Sequence, residues 1–237
     1  MIQGIDGYRG GWVAVRFERP DMKNFSVHHS NKLIDLIGGF SGITAIDMPI
    51  GLPEATGLGG RRCDAEVRQY LGDRQSSVFS VPARKAIYQS DYPSACAMAL
   101  GHSDPPRKIS KQIYHLFPKI RELDGLLPAG QTGIFEAHPE FSFVQCHGGK
   151  PLDLPKKIKG RPNPAGLAYR RKLLLDAGLP LALFRQLDEL PKFIGMDDRI
   201  DAAAMAWTAC RIKLGCAVFI PDKAPCDARG LSMAIAG

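Results

Sequence analysis

The chain has 237 residues, of which 45% are hydrophobic, so it can bury a sizeable core, although its length is large for one domain. Its formal net charge of +7 allows a polyanionic partner such as nucleic acid, but an ordinary basic protein fits this charge equally well. No apolar run approaches the length of a bilayer span, and the six cysteines include no Cys-x-x-Cys pair, which argues against a membrane protein and against zinc or thiol redox motifs.

The first fifty residues predict the opening of an α/β fold. Residues 3–17 alternate loosely around a glycine-containing turn and predict two antiparallel strands. Residues 25–29 predict a third short strand, and residues 31–37 predict a helix with Asn31 as its N-cap. Residues 43–47 predict a fourth, apolar strand. Because the chain begins with a strand pattern rather than a signal peptide, we expect a cytoplasmic protein.

Residues 54–133 depart from the alternation of strands and helices. Helical spacing occurs over 61–71 and 109–123, and Pro118 should kink or divide the second helix. We therefore predict one domain over 1–237 in which this segment is a mainly helical insertion after the fourth strand.

The last hundred residues return to a mixed pattern. Residues 134–138 predict a strand, and Pro139 suits the first position of a following helix. The basic segment 150–164, rich in proline and glycine, predicts a loop. Further helices are predicted over residues 165–177, 182–190 and 198–214.

Acidic residues follow or end predicted strands and open the last predicted helix. Asp6 lies among apolar neighbours, where burial without a partner would be costly. Asp47 follows an apolar strand, at the edge where α/β sheets bind ligands, and Asp198 and Asp201 share one helix face. Turn or helix capping explains each of them singly. Together, converging carboxylates repel one another unless a divalent cation lies between them.

Oxygen donors without a histidine–cysteine set favour Mg²⁺ or Mn²⁺ over zinc. In a two-metal site, one ion activates water and the other stabilises the leaving oxygen. Either Glu136, at a strand end, or Glu140, in a first helical turn, is a further candidate, although helix capping also explains Glu140. The predicted metal ligands are Asp6, Asp47, Asp198 and Asp201. The predicted catalytic residues are Asp6, Asp47, Glu136 and Asp201. The predicted substrate-binding residues are Arg9, Arg62, Arg74, Arg84, His138 and Glu140.

Short motifs occur in a fixed order along the chain. They are Gly-Ile-Asp6-Gly-x-Arg9-Gly-Gly-Trp12, Ile46-Asp47-Met-Pro49-Ile-Gly51-Leu, Arg62-Cys-Asp64-x-x-x-Arg68, Ser76-Ser-Val-Phe79, Lys119-Ile-x-Glu122-x-Asp124, Glu136-x-His138-Pro-Glu140 and Asp198-x-x-Asp201-Ala. Their order, from Gly4 to about Trp207, resembles the predicted RNase H-like nuclease family, a domain-of-unknown-function family within the ribonuclease H-like superfamily.

The resemblance implies a fold and a set of site residues. The implied fold is an RNase H-like mixed five-stranded sheet flanked by helices. By position, Asp6 and Asp47 match the strand acids of that family, and Asp201 matches the acid of the last helix. Asp198 resembles the companion acid of resolvase-like members.

Residues and resemblance together favour a metal-dependent nuclease that hydrolyses phosphodiester bonds of RNA, DNA or a hybrid by a two-metal carboxylate mechanism. A non-catalytic module that binds nucleic acid or a protein partner is the first alternative. A nucleotide-dependent phosphotransferase ranks lower, because the chain has neither a second copy of the fold nor a Walker-type Gly-x-x-x-x-Gly-Lys loop.

Overall fold

A five-stranded mixed sheet forms the centre of the fold, with strand order β3-β2-β1-β4-β5. The computed structural model describes residues 1–130 and 133–237. The strands of the sheet are Ile2–Tyr8 (β1), Gly11–Phe17 (β2), Phe25–Ser30 (β3), Ile43–Ile46 (β4) and Ile134–Glu136 (β5). The first three strands pair antiparallel, whereas β4 pairs parallel with both β1 and β5. This mixed α/β architecture confirms the predicted fold class and is consistent with an RNase H-like fold.

The helices follow the first three strands and lie between and after the later ones. They are Ile34–Ile37 (α1), Arg62–Arg68 (α2), Arg84–Ile87 (α3), Tyr92–Gly101 (α4), Lys111–Leu126 (α5), Pro139–Cys146 (α6), Pro164–Asp176 (α7), Leu181–Asp188 (α8) and Met196–Lys213 (α9), with a 3-10 helix at Gly72–Ser77. Two small antiparallel pairs are formed by Lys157–Ile158 (β6) with Arg161–Pro162 (β7), and by Phe219–Ile220 (β8) with Ile235–Ala236 (β9). In the part of the chain that the structure describes, no helix is both long and apolar enough to span a membrane.

The segment between β4 and β5 contains helices α2 to α5 and the 3-10 helix. Two local predictions for it and its surroundings were wrong. Helix α5 is not divided at Pro118 but continues to Leu126, with Pro118 on its exposed face while Phe117 and Ile120 pack in the core. Asn31 is not the N-cap of α1, because this helix begins only at Ile34 and Leu33 stands at the cap position, where no described side chain forms a capping hydrogen bond. Gln131 and Thr132, at the end of the predicted insertion, lie outside the described residues.

Helix α9 lies against β1 at very short range. Gly4 makes this possible, because a Cβ atom built on it would stand 1.8 Å from the backbone nitrogen of Ala206 and 2.5 Å from the carbonyl oxygen of Ala202. The facing side of α9 is rich in buried alanine. Small residues on both elements therefore bring the acidic start of α9 next to the carboxyl half of β1.

Candidate active site

A cavity of about 400 Å³ opens where β1, β4 and β5 end and α9 begins. Its wall is strongly acidic. The carboxylates that line it belong to Asp6, Asp47, Asp64, Glu136, Glu140, Asp197, Asp198 and Asp201. The structure thus brings together all the acids that the sequence predicted as metal ligands or catalytic residues.

Strand register places Asp6 and Asp47 side by side. Ile5 of β1 is paired with Ile46 of β4, and the backbone N–H of Asp47 donates to the carbonyl oxygen of Ile5 at 3.0 Å. The two aspartates are the next residues on neighbouring parallel strands. Asp201 reaches the cavity from α9, and the absence of a side chain at Gly4 allows this helix to lie close to the sheet.

The pKa values of these acids reflect both burial and mutual repulsion. Burial raises the pKa of Asp6 well above its ordinary value, and the charges of Asp47, Asp201 and Asp198 raise it further. Burial and the neighbouring charge of Asp197 raise the pKa of Asp198 to about 6. Burial raises the pKa of Asp201 to about 7. These acids therefore share one electrostatic environment and lack full compensation of their charge.

Other acids of the wall are neutralised by buried arginines. Arg61 donates to Glu136 Oε1 at 2.6 Å and to Glu136 Oε2 at 2.7 Å, and it also pairs with Asp64 Oδ1 at 2.7 Å. Arg170 donates to both oxygens of Glu140, at 2.8 and 2.7 Å. Glu136 and Glu140 therefore line the cavity with oxygens that already have strong donors, and their place in the chemistry stays a prediction.

Two lysines of the segment 150–164 reach the acids of α9. Lys156 Nζ pairs with Asp201 Oδ2, and Lys157 Nζ lies 2.5 Å from Asp197 Oδ2. Burial alone would lower the pKa of Lys156, but the charges of Asp201, Asp6 and Glu140 outweigh it and raise that pKa. The second oxygen of Asp201, Oδ1, is buried without a hydrogen-bond partner among the described residues.

The donor chemistry of the cavity fits a hard divalent cation, because every candidate ligand is a carboxylate and one buried oxygen lacks a partner. As the side chains stand, however, no three His, Cys, Asp or Glu residues within 1–130 and 133–237 are arranged to hold a metal ion. Lys156 supplies positive charge beside Asp201 instead. With Lys156 in place on Oδ2, a cation at Asp201 would therefore meet only the second oxygen, Oδ1.

The predicted substrate contacts divide into two groups. His138 and Glu140 line the cavity, and His138 Nε2 lies 3.3 Å from the carbonyl oxygen of Ser77. The structure does not bring the predicted arginines to the cavity wall. These are Arg9, Arg62, Arg74 and Arg84. Their predicted contact with substrate receives no support from the geometry.

Two of these arginines have acidic partners away from the cavity. Arg62 forms an exposed pair with Glu66 at 2.6 Å, because it points outward from the first turn of α2. Arg84 is held between Asp124 and Asp227, at 2.5 and 2.7 Å.

Sequence reasoning missed the cations that do line the cavity, namely Arg61, Lys156 and Lys157. Each belongs to a basic cluster that is visible in the sequence. The sequence could not say which member of a cluster points inward. Only the direction of the backbone at the start of α2 and at β6 decides that Arg61 and not Arg62, for example, reaches the acids.

The fold and the cavity define an α/β protein with a carboxylate-rich pocket at the carboxyl edge of a mixed sheet. Residues 4–225 match the model of a family described as a protein of unknown function (DUF429), and the chain belongs to this family. No curated protein and no solved structure matches the chain. The family finding agrees with the domain-of-unknown-function part of the resemblance.

Proposed function

We propose that the protein is a divalent-cation-dependent nuclease that hydrolyses phosphodiester bonds of nucleic acid. The observation that supports this most directly is the convergence of Asp6, Asp47, Asp198 and Asp201 on one cavity from two strands and one helix. Buried like charges destabilise a fold, so a cluster of this kind indicates a functional site rather than a structural one. The buried Oδ1 of Asp201 has no hydrogen-bond partner among the described residues, which supports a cation as its missing partner.

The residues of the chain would divide the work by position. Asp6 on β1 and Asp47 directly after β4 would hold a cation in a fixed place relative to the sheet, while Asp198 and Asp201 close the site from the helix. When bound, Mg²⁺ or Mn²⁺ would lower the pKa of a water molecule and stabilise the leaving oxygen of the phosphodiester. The formal charge of +7 would favour encounter with a polyanion, although the cavity wall itself is acidic.

Cleavage of labelled nucleic acids tests the proposal. Single-stranded and duplex RNA, DNA and an RNA–DNA hybrid are incubated with the protein and Mg²⁺ or Mn²⁺. We expect cleavage of at least one substrate that is lost in Asp6→Asn and in Asp201→Asn, each with an unchanged circular dichroism spectrum. Asp176→Asn is the matched control, because Asp176 lies on α7 with its side chain 57% exposed and forms an exposed pair with Lys172. Cleavage that persists in both site variants would contradict the proposal.

A second candidate function is a non-catalytic module that binds nucleic acid or a partner. The observation in its favour is that Lys156 and Lys157 already pair with two of the acids on α9. Under this alternative, binding of a labelled oligonucleotide would be the same with a chelator and with Mn²⁺, and would survive the double change Asp6→Asn and Asp47→Asn. The nuclease proposal instead expects cation-dependent binding that this double change weakens.

A further inference from the structure

We propose that the ammonium group of Lys156 takes the place of one cation in the carboxylate cavity, so that the wild-type chain binds a single divalent ion there. This inference rests on the proposed function and specifies the composition of the same site. It replaces the two-metal arrangement expected from the sequence with one divalent ion and one lysine. Removal of the ammonium should then open Asp201 to a second ion.

The contacts of Lys156 are those of a cation within the site. Its Nζ pairs with Asp201 Oδ2, and the carboxylates of Asp6 and Glu140, which line the same cavity, also attract its charge. Asp201 is only 1% exposed, so its charge cannot be compensated by solvent. One oxygen of Asp201 has the lysine as its partner and the other has none among the described residues, which leaves room for a further ligand on that carboxylate.

The backbone on either side of Lys156 is held in place. The side-chain amide of Asn163 donates to the carbonyl oxygen of Pro155 at 2.8 Å. The backbone N–H of Asn163 donates to the carbonyl oxygen of Lys156 at 2.9 Å. Arg170 donates to the carbonyl oxygen of Leu154 at 2.8 Å. These bonds hold the backbone of Lys156 beside the cavity, so that its side chain can reach Asp201.

Arg170 couples this loop to the wall of the cavity. The same guanidinium group that binds Leu154 also binds both oxygens of Glu140, and it is fully buried. A Cβ atom on Gly166 would stand 2.0 Å from the carbonyl oxygen of Pro155, so helix α7 and the loop are in direct backbone contact. The loop, the helix and the acidic wall therefore form one packed unit around Lys156.

Lys157 provides the matched control. It precedes the same turn, carries the same charge and pairs with Asp197, another acid of α9. Its side chain is 45% exposed, whereas that of Lys156 is 26% exposed, so solvent can replace much of the lost charge at Lys157. Loss of charge at Lys157 should therefore change cation binding much less.

Calorimetric titration of Mn²⁺ into the 237-residue chain tests the inference without any assay of activity. We expect one ion for the wild type and for Lys157→Met. For Lys156→Met we expect either a second ion or an affinity at least tenfold higher, and the added change Asp201→Asn should abolish this gain. Circular dichroism confirms folding, and Lys156→Gln replaces Lys156→Met if the latter does not fold.

The outcomes separate this inference from the proposed function. Equal stoichiometry and affinity in the wild type and both Lys156 variants would overturn the inference and leave the cation site standing. Two ions in the wild type would also overturn it. Absence of Mn²⁺ binding by every variant, together with absence of cleavage, would instead reject the proposed nuclease, and the inference with it.

Discussion

Arg61 and Glu136 form a buried ion pair in which one guanidinium group reaches both carboxylate oxygens, at 2.6 and 2.7 Å. The same group binds Asp64 and the carbonyl oxygen of Ile50. It therefore ties the start of α2 to the end of β5 and to the loop after β4. Bidentate arginine contacts of this kind fix geometry as well as charge. Arg61 is thus a positioning residue for one wall of the cavity.

Replacement of Arg61 should be strongly destabilising. In Arg61→Met, Glu136 and Asp64 keep their burial but lose their cation, and a broken buried pair costs about 3–5 kcal/mol. Urea unfolding followed by circular dichroism measures this loss. The neighbouring change Arg62→Met is the control, because the Arg62 side chain is 64% exposed and should cost less than about 1 kcal/mol. Similar losses in the two variants would contradict the structural role of Arg61.

Gly4→Ala tests the close approach of α9 to β1. A Cβ atom 1.8 Å from a backbone nitrogen cannot be accommodated without moving the helix, so we expect a loss of about 3 kcal/mol or more. In Gly125→Ala, by contrast, the new methyl group has open space within helix α5 and should stabilise the protein by about 0.5–1 kcal/mol. Thermal unfolding of the two variants should therefore shift in opposite directions, and a tolerated Gly4→Ala would contradict the packing.

Glu122 should stabilise the contact of α5 with β2 and with the start of α1. Its oxygens accept hydrogen bonds from Trp12 Nε1 at 3.0 Å and from the backbone N–H of Leu33 at 2.6 Å. Glu122→Ala leaves both donors without a partner, and we expect a loss of about 2–4 kcal/mol in the free energy of unfolding. Trp12 is fully buried, so its fluorescence should also change. Glu54→Ala, at an exposed glutamate, should leave both measurements unchanged.

The parts of the fold that the sequence predicted are those set by local pattern. Alternating apolar residues predicted the first four strands, and Pro139 correctly marked the start of α6. The helical pattern of residues 198–214 predicted most of α9, and the structure adds that its buried alanines approach the sheet closely where Gly4 permits it. Two details were wrong, because they depend on tertiary packing: Asn31 does not cap α1, and Pro118 does not divide α5, in which Phe117 and Ile120 pack in the core.

The candidate site was predictable for residues that a strand or helix end positions directly. Asp6, Asp47 and Asp201 are brought together by strand register and by one helix, which short motifs can indicate. The partners of the acids were not predictable, because Lys156 reaches Asp201 across 45 residues of sequence and Arg61 reaches Glu136 across 75. Such pairings depend on how loops fold back, and composition alone cannot distinguish an inward lysine from an outward one.

Asp198 should make the stability of the cation-free protein depend on pH. Its pKa of about 6 in the folded protein lies above the ordinary value of 3.8, so the folded state binds more protons than the unfolded state between these values. The protonated folded form is favoured at low pH, and this contribution to stability is lost as pH rises through about 6. Asp198→Asn has no carboxyl group at this position, so its stability should not fall for this reason as pH rises through about 6.

We therefore expect Asp198→Asn, in the presence of a chelator, to be more stable than the wild type at pH 8 by about 1–3 kcal/mol. The difference should shrink toward pH 4, where the wild-type carboxyl is protonated in the folded state. Urea unfolding at pH 4, 6 and 8 measures it, with Asp176→Asn on the exposed face of α7 as the control for loss of a charge alone. With Mn²⁺ in place of the chelator the order at pH 8 should reverse, because a cation that binds only the folded wild type stabilises it by mass action. If Asp198→Asn is less stable than the wild type at pH 8 even with chelator, the charged Asp198 stabilises the fold. That result would contradict a net cost from burial and from repulsion by Asp197.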